Sequence, residues 1–251
     1  MNRRHALKAL AGLALCPVCV SAGLTAEGPH WTYSGKAGPE QWGTLGSANK
    51  VCSAGGQQSP IDIVETVKTD LSKLDIGWAK SGATIVNNGH TIQLNFAEGS
   101  TLRVGNEAYT LLQVHFHRPS EHKIAGKNFP MEAHFVHRNA AGDLAVIGVL
   151  MSGGGTNASF SKIVGTMPKK EGPAVKADAA IDPNGLLPSG RGYYRYSGSL
   201  TTPPCSETVN WLLLTDPIQV ADADIAAFGG LYAMNARPAQ KSNRRFVLRS
   251  G

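Results

Sequence analysis

His115-Phe116-His117 sets two imidazoles two residues apart, and on an extended strand that spacing points both to one face. Gln113 shares the face. A second segment, Glu132-Ala133-His134-Phe135-Val136, puts Glu132, His134 and Val136 on one face in the same way. If the two segments pair as neighbouring strands, three imidazole nitrogens converge and one coordination position stays open. A catalytic zinc ion needs that arrangement, because it keeps water in its fourth position. Each ligand imidazole also needs a partner for its other ring nitrogen, and Gln113 and Glu132 are placed to serve two of them. Two histidines on a half-buried strand are equally compatible with plain packing. His137, on the face opposite His134, reads as structural.

A second metal chemistry competes. His115-x-His117-x-x-x-Glu121 followed by Gly126 resembles the first half of a cupin motif, in which the Glu is also a ligand. The second half of that motif, a Pro-x-Gly ahead of a later His, does not precede His134, and the cupin reading falls on that absence.

The elements that must hold these residues are strands. Runs rich in β-branched and aromatic residues predict strands at Ile85–Val86, Thr91–Phe96, Thr101–Val104, Tyr109–His117, Met131–Arg138, Leu144–Met151 and Val209–Leu214. Turn signals separate them, such as Asn87-Asn88-Gly89, Gly105-Asn106 and Ala141-Gly142-Asp143. One amphipathic helix is expected between Asn157 and Met167, with Phe160, Ile163 and Val164 on one face. Trp31 to Gln58 reads as irregular structure. The expected fold is mainly β: a single domain on a large, mostly antiparallel twisted sheet with short peripheral helices.

Asn2-Arg3-Arg4 followed by the apolar stretch Ala9 to Val20 and by Val20-Ser21-Ala22 reads as an export signal over residues 1–22, with Ala26 as a second cleavage point. Residues 27–251 would then form the functional domain, periplasmic or secreted. Arg3, Arg4 and Lys8 leave with the signal, which takes the net charge from +6 to +3. No Lys/Arg run with interleaved aromatics remains, so no nucleic-acid partner is expected. After residue 24 no apolar run is long enough to span a membrane. Of four cysteines only Cys52 and Cys205 would survive processing, and in an oxidising compartment a disulfide between them is the expectation, with two buried thiols as the alternative.

Taken together these residues resemble the α-class carbonic anhydrases, from about Trp31 to Arg249. The resemblance is carried by Gly38-Pro39-Glu40-Gln41-Trp42, Gln58-Ser59-Pro60-Ile61-Asp62-Ile63, Asn87-Asn88-Gly89-His90 and Gln113-Val114-His115-Phe116-His117. It continues through Ser120-Glu121-His122, Glu132-Ala133-His134, Tyr196 to Pro204, and Asn235-Ala236-Arg237-Pro238-Ala239-Gln240. It implies a zinc lyase that reversibly hydrates carbon dioxide to bicarbonate and a proton, through zinc-bound hydroxide and a His proton shuttle. His115, His117 and His134 would hold Zn2+, and the Cys52–Cys205 pair matches a bridge of exported members.

The resemblance also implies roles for other residues. Thr201 would accept a hydrogen bond from the hydroxide and pass its own proton towards Glu121, with Thr202 touching bicarbonate. Val136, Val146, Leu200, Val209 and Trp211 would form the apolar wall for CO2. His90 would shuttle protons, with Tyr33, Asn88 and Gln93 ordering the connecting waters. Asn235 would orient His117 through its backbone carbonyl, its side chain being irrelevant. CO2 and bicarbonate are the expected small-molecule partners, and a homodimer is compatible with the sequence. The alternative function is a catalytically silent relative acting as a binding module.

Overall fold

Period-two alternation sorts the central strands into two faces. In Glu107–His117 the side chains of Val114 and Phe116 are buried in a large apolar cluster, whereas Gln113 and His115 face the other way into a cavity, and a register shift before Gln113 lets Leu111 join the core as well. The computed structural model describes residues 30–79, 83–179 and 181–251. The export signal expected at residues 1–22 lies outside them.

Among the described residues a thirteen-stranded mixed sheet dominates. Its main path runs Val175–Lys176, Thr84–Asn87, Ile92–Asn95, Glu107–His117, Met131–Arg138, Leu144–Ser152, Val209–Leu214, Tyr193–Gly198, Leu248–Ser250 and Val67–Thr69. Most neighbours are antiparallel. Leu144–Ser152 pairs in parallel with Val209–Leu214 and with Ile218–Gln219, and Leu248–Ser250 pairs in parallel with Val67–Thr69. A parallel pairing needs a long crossover. The segment between residues 152 and 209 supplies one and carries the helix Ala158–Thr166 across the back of the sheet. Asn157 caps that helix by accepting a hydrogen bond from Phe160 N–H at 3.0 Å. Phe160, Ile163 and Val164 are buried from it, with Phe160 against Phe116.

The seven expected strands and the helix are all present within a few residues. Unforeseen are Val67–Thr69, Leu74–Gly77, Tyr193–Gly198, Leu248–Ser250, several two-residue strands and the helix Asp222–Gly229. These elements are short, and in Val67–Thr69 or Leu248–Ser250 no residue is fully buried, so hydrophobic periodicity has little to register. Trp31 to Gln58 holds three 3-10 turns and a single helical turn at Val51–Ala54. His137 lies in the large core as expected. It follows a register shift after Val136 and is wedged between the Trp78 indole and the Ala145 carbonyl. Burial pushes its pKa down to about 3, so it is neutral.

Cys52 and Cys205 form a disulfide, closing a separation of 153 residues beside Trp42. Replacing both cysteines by alanine should lower unfolding free energy by about 4–5 kcal/mol, the loop entropy released to the denatured chain. Urea unfolding of the double variant against the oxidised parent measures it, and a loss below about 1 kcal/mol would contradict the argument.

Candidate metal centre

The strands Glu107–His117 and Met131–Arg138 are antiparallel neighbours, with His134 opposite His115 and Glu132 opposite His117. That register brings the three histidines together. One ligand-capable nitrogen from each of His115, His117 and His134 lies within 4.8 Å of the others.

The remaining ring nitrogens are all committed. His115 Nδ1 lies 2.8 Å from Gln113 Oε1, and His117 Nδ1 lies 2.8 Å from the Asn235 carbonyl. His134 Nε2 lies 2.8 Å from Glu132 Oε1. Each partner is an acceptor, so each of these nitrogens carries the proton and donates. His115 Nε2, His117 Nε2 and His134 Nδ1 are then left as lone pairs turned towards one another. His117 Nε2 is buried with no hydrogen-bond partner. Three facing acceptors, one of them orphaned, are what a cation would satisfy, and an all-imidazole set suits zinc. Burial holds the pKa of His115 and His134 below the ordinary value, and that of His117 down to about 4. At neutral pH no proton competes for these lone pairs.

A second cluster of potential ligands, His122, Glu132 and His134, is a hydrogen-bond network instead. Glu132 accepts from His134 and from His122 Nδ1 (2.6 Å) at Oε1, and from the backbone N–H groups of Glu121 (2.9 Å) and His122 (2.8 Å) at Oε2. Burial alone would raise its pKa. The two imidazoles outweigh burial and hold it well below the carboxylate range. From His122 Nε2 the network continues to the Tyr196 hydroxyl at 2.7 Å and on to Ser59 Oγ at 3.0 Å.

Glu121 stands beside the lone pairs, with Oε2 3.5 Å from His117 Nε2 and 3.8 Å from His134 Nδ1. Its Oε1 accepts the Arg237 N–H at 2.7 Å. Burial pushes its pKa up to about 7, against His134, the Thr201 hydroxyl and the Arg237 N–H, which favour the charged form. The Thr201 contact is loose, since no hydrogen bond of ordinary geometry reaches Oε2.

A cavity opens over the cluster. Tyr33, Asn88, His90, Gln93, Gln113, Thr201 and Thr202 line one part, and Val136, Val146, Leu200 and Trp211 form an apolar wall. Val209, two residues from Trp211 and on the same face of its strand, is buried in one apolar cluster with Val136, Val146 and Trp211. His90 is half-buried at the rim, its ring stacked on Trp31 at 3.8 Å. Gln93 donates to Asn95 Oδ1 at 2.6 Å, and Asn88 lies 3.5 Å from Gln93 Oε1.

One expectation is corrected. The Asn235 side chain is not idle: its Nδ2 donates to the His90 and Phe116 carbonyls, both at 2.9 Å, and its Oδ1 accepts Arg118 N–H at 2.7 Å. Several contributors went unassigned in the sequence, namely His122, Tyr196, Ser59, Arg237, Trp31 and Gly148. A Cβ on Gly148, which faces His134 in register, would sit 2.7 Å from Leu213 Cδ1 and 3.1 Å from Glu132 Oε1. The one local signal was His122 directly after Glu121.

Residues 37–251 match the family model described as eukaryotic-type carbonic anhydrase. A Klebsiella pneumoniae protein named carbonic anhydrase is 41% identical over 243 residues, 96% of each chain. A Neisseria gonorrhoeae protein of the same name is 42% identical over 238 residues, 94% of each chain. The solved complex of α-carbonic anhydrase from Thermovibrio ammonificans with the inhibitor sulfanilamide is similar at a TM-score of 0.86. Its sequence identity is 42%, covering 88% of this chain and 99% of that one.

Asn235→Ala should destabilise the fold by about 3 kcal/mol, since three buried hydrogen bonds are lost and their partners stranded. Its backbone carbonyl, and so the His117 anchor, remains. Thermal unfolding beside metal titration checks both halves; an unaltered midpoint would refute the role of the side chain.

Proposed function

The chain belongs to the eukaryotic-type, or α-class, carbonic anhydrases, and from that membership we propose the residue-level course of its reaction, the reversible hydration of carbon dioxide to bicarbonate and a proton. The observation that carries the proposal is the trio of facing, proton-free imidazole nitrogens with His117 Nε2 unpartnered. His115, His117 and His134 would hold zinc. Bound there, zinc supplies the Lewis acidity that brings a water's pKa to about 7, the value known for this enzyme family.

The chain's own residues do the rest. Thr201 accepts a hydrogen bond from the attacking oxygen and donates its hydroxyl proton to Glu121. Arg237 N–H already fills Glu121 Oε1, so Oε2 is the acceptor left for Thr201. A neighbouring cation favours the ionised carboxylate, which keeps Glu121 an acceptor. The Thr201 proton is thereby committed, and a lone pair of the attacking oxygen is aimed at the substrate carbon. Carbon dioxide carries no charge to grip, so Val136, Val146, Leu200 and Trp211 confine it by apolar contact. Bicarbonate meets Thr202 on the polar side.

The proton released leaves through His90. Burial first, and then His30, lower its pKa from the ordinary imidazole value, while Glu171 opposes them; an imidazole is the side chain suited to take and release a proton near neutral pH. Tyr33, Asn88 and Gln93 would order the waters between. We further propose that residues 27–251 act outside the cytoplasm. The Cys52–Cys205 disulfide and the Arg-pair, apolar-stretch start of the chain support that compartment.

Purified protein should bind one zinc and hydrate carbon dioxide. His134→Ala should lose both the metal and the activity; stoichiometric zinc retained in that variant would overturn the ligand set. Bound zinc without hydration in the parent would leave the silent binding module as the reading. His90→Ala should keep its zinc and slow turnover by about 10- to 100-fold in weak buffer, with imidazole buffer restoring part of the rate. An undiminished maximal rate in weak buffer would remove His90 from the proton path.

A further inference from the structure

His90 is held at the cavity rim by backbone and ring contacts that leave its charge exposed to two neighbours. Its backbone N–H donates to Asn88 Oδ1 at 3.0 Å, and its ring is stacked on Trp31 with the two planes nearly parallel, at 9°. The His30 ring centroid is 6.5 Å away. The turn that carries His90 is also stapled to the loop after the helix Ala158–Thr166. Gly172 N–H donates to the Asn87 carbonyl at 3.2 Å, and Asn87 Nδ2 donates to the Pro168 carbonyl at 3.1 Å. Those staples seat the Glu171 carboxylate over Gly89, the residue before His90. Gly89 has φ +84°, and a Cβ there would stand 2.8 Å from Glu171 Oε2. A side chain at that position would displace the carboxylate, so the glycine serves both the turn and the approach.

We infer that Glu171 and His30 are an opposed pair of positioning residues for proton exit: the Glu171 carboxylate favours a proton on His90, and the neighbouring His30 ring disfavours it. The inference rests on the reading of His90 as the group that carries the proton out. Burial disfavours the charged ring, and a cationic neighbour disfavours it further; a carboxylate works against both. Two phenols also stand near the ring among the described residues, and both are held neutral. Tyr33 lies 6.5 Å away and its phenol is pushed up by burial. Tyr232, bonded to Asn87 Oδ1, is pushed up to about 12 by burial and by Glu171.

A shuttle must accept a proton from inside and release it outside, and both steps suffer if the ring is too weak or too strong a base. Glu171 offsets the weakening that burial imposes. The His30 ring, 6.5 Å away, acts in the opposite sense. Both neighbours are exposed, so their influence passes partly through water and fades with salt.

The test is an NMR titration of the His90 ring in the zinc-loaded full protein, beside turnover in weak buffer. Glu171→Gln should lower the His90 protonation constant by about two- to fivefold, the effect of removing one nearby charge that acts through water. Glu171→Asp should largely restore it. His30→Ala should move the His90 midpoint the other way, upward. High salt should shrink both displacements. Weak-buffer turnover should fall in Glu171→Gln and recover in Glu171→Asp, while rates in concentrated imidazole stay level. Displacements of the same sign, or none in either variant, would overturn the opposed pair. Midpoints that move as expected while weak-buffer turnover stays level would overturn the exit role through the His90 reading itself, a failure that His90→Ala exposes separately.

Discussion

One buried carboxylate, Glu132, organises the centre. Taking a charge out of water is costly unless it is fully hydrogen-bonded, and Glu132 meets that condition with four donors from three residues. Each donor fixes something. The backbone N–H groups of Glu121 and His122 hold the turn that presents Glu121. The imidazole N–H of His134 fixes that ring's tautomer and leaves Nδ1 free. His122 passes the constraint through Tyr196 to Ser59, whose Oγ accepts Ser199 N–H at 3.0 Å, and Ser199 lies two residues before Thr201. His134, Glu121 and the loop that carries Thr201 therefore answer to the same anion. A neutral replacement would weaken all three together.

The sheet then separates two environments by its pleat. Val114, Phe116, Ala133 and Phe135 enter the large core from the same strands whose alternate residues build the centre. The register of neighbouring strands matters as much as the residues themselves. Gly148, across from His134, leaves the space that Leu213 and the Glu132 carboxylate fill. Alternation along Met131–Arg138 puts Val136 on the cavity wall and turns His137 into the core, and the register shift after Val136 falls opposite the step from Leu111 to Gln113. Polar and apolar lining therefore meet on one strand, where His134 and Val136 are two residues apart on the same face.

Much of this was legible in advance where side-chain period and residue type agree. Strands at 109–117 and 131–138 carry alternating apolar residues, so their same-face histidines could be paired on sight. Gln113 and Glu132, two residues from the histidines they serve, followed from the same period. What escaped was set by tertiary contact. Tyr196 and Ser59 join the network across 137 residues, a separation that no local pattern reports. The Asn235 side chain was undervalued for the same reason. In sequence it is one polar residue, while in the fold it binds three backbone groups from two segments.

Depth decides which histidines can do which task. Full burial drives His137 to about 3 and His117 to about 4, so neither could accept a proton from a group that titrates near 7. For a metal ligand that weakness is an advantage, since the lone pair is not lost to protons at neutral pH. For a shuttle it would be fatal. His90 escapes because it is only half-buried, and because Trp31 gives it a stacking partner without removing its ring from solvent. Its backbone carbonyl is bound by Asn235, the residue whose own carbonyl orients His117. The rim histidine and the deep histidine are thus tied to one residue, the first through its side chain and the second through its backbone carbonyl. They keep a fixed separation while sitting in different dielectric surroundings, as the proposed division between proton exit and metal site would require.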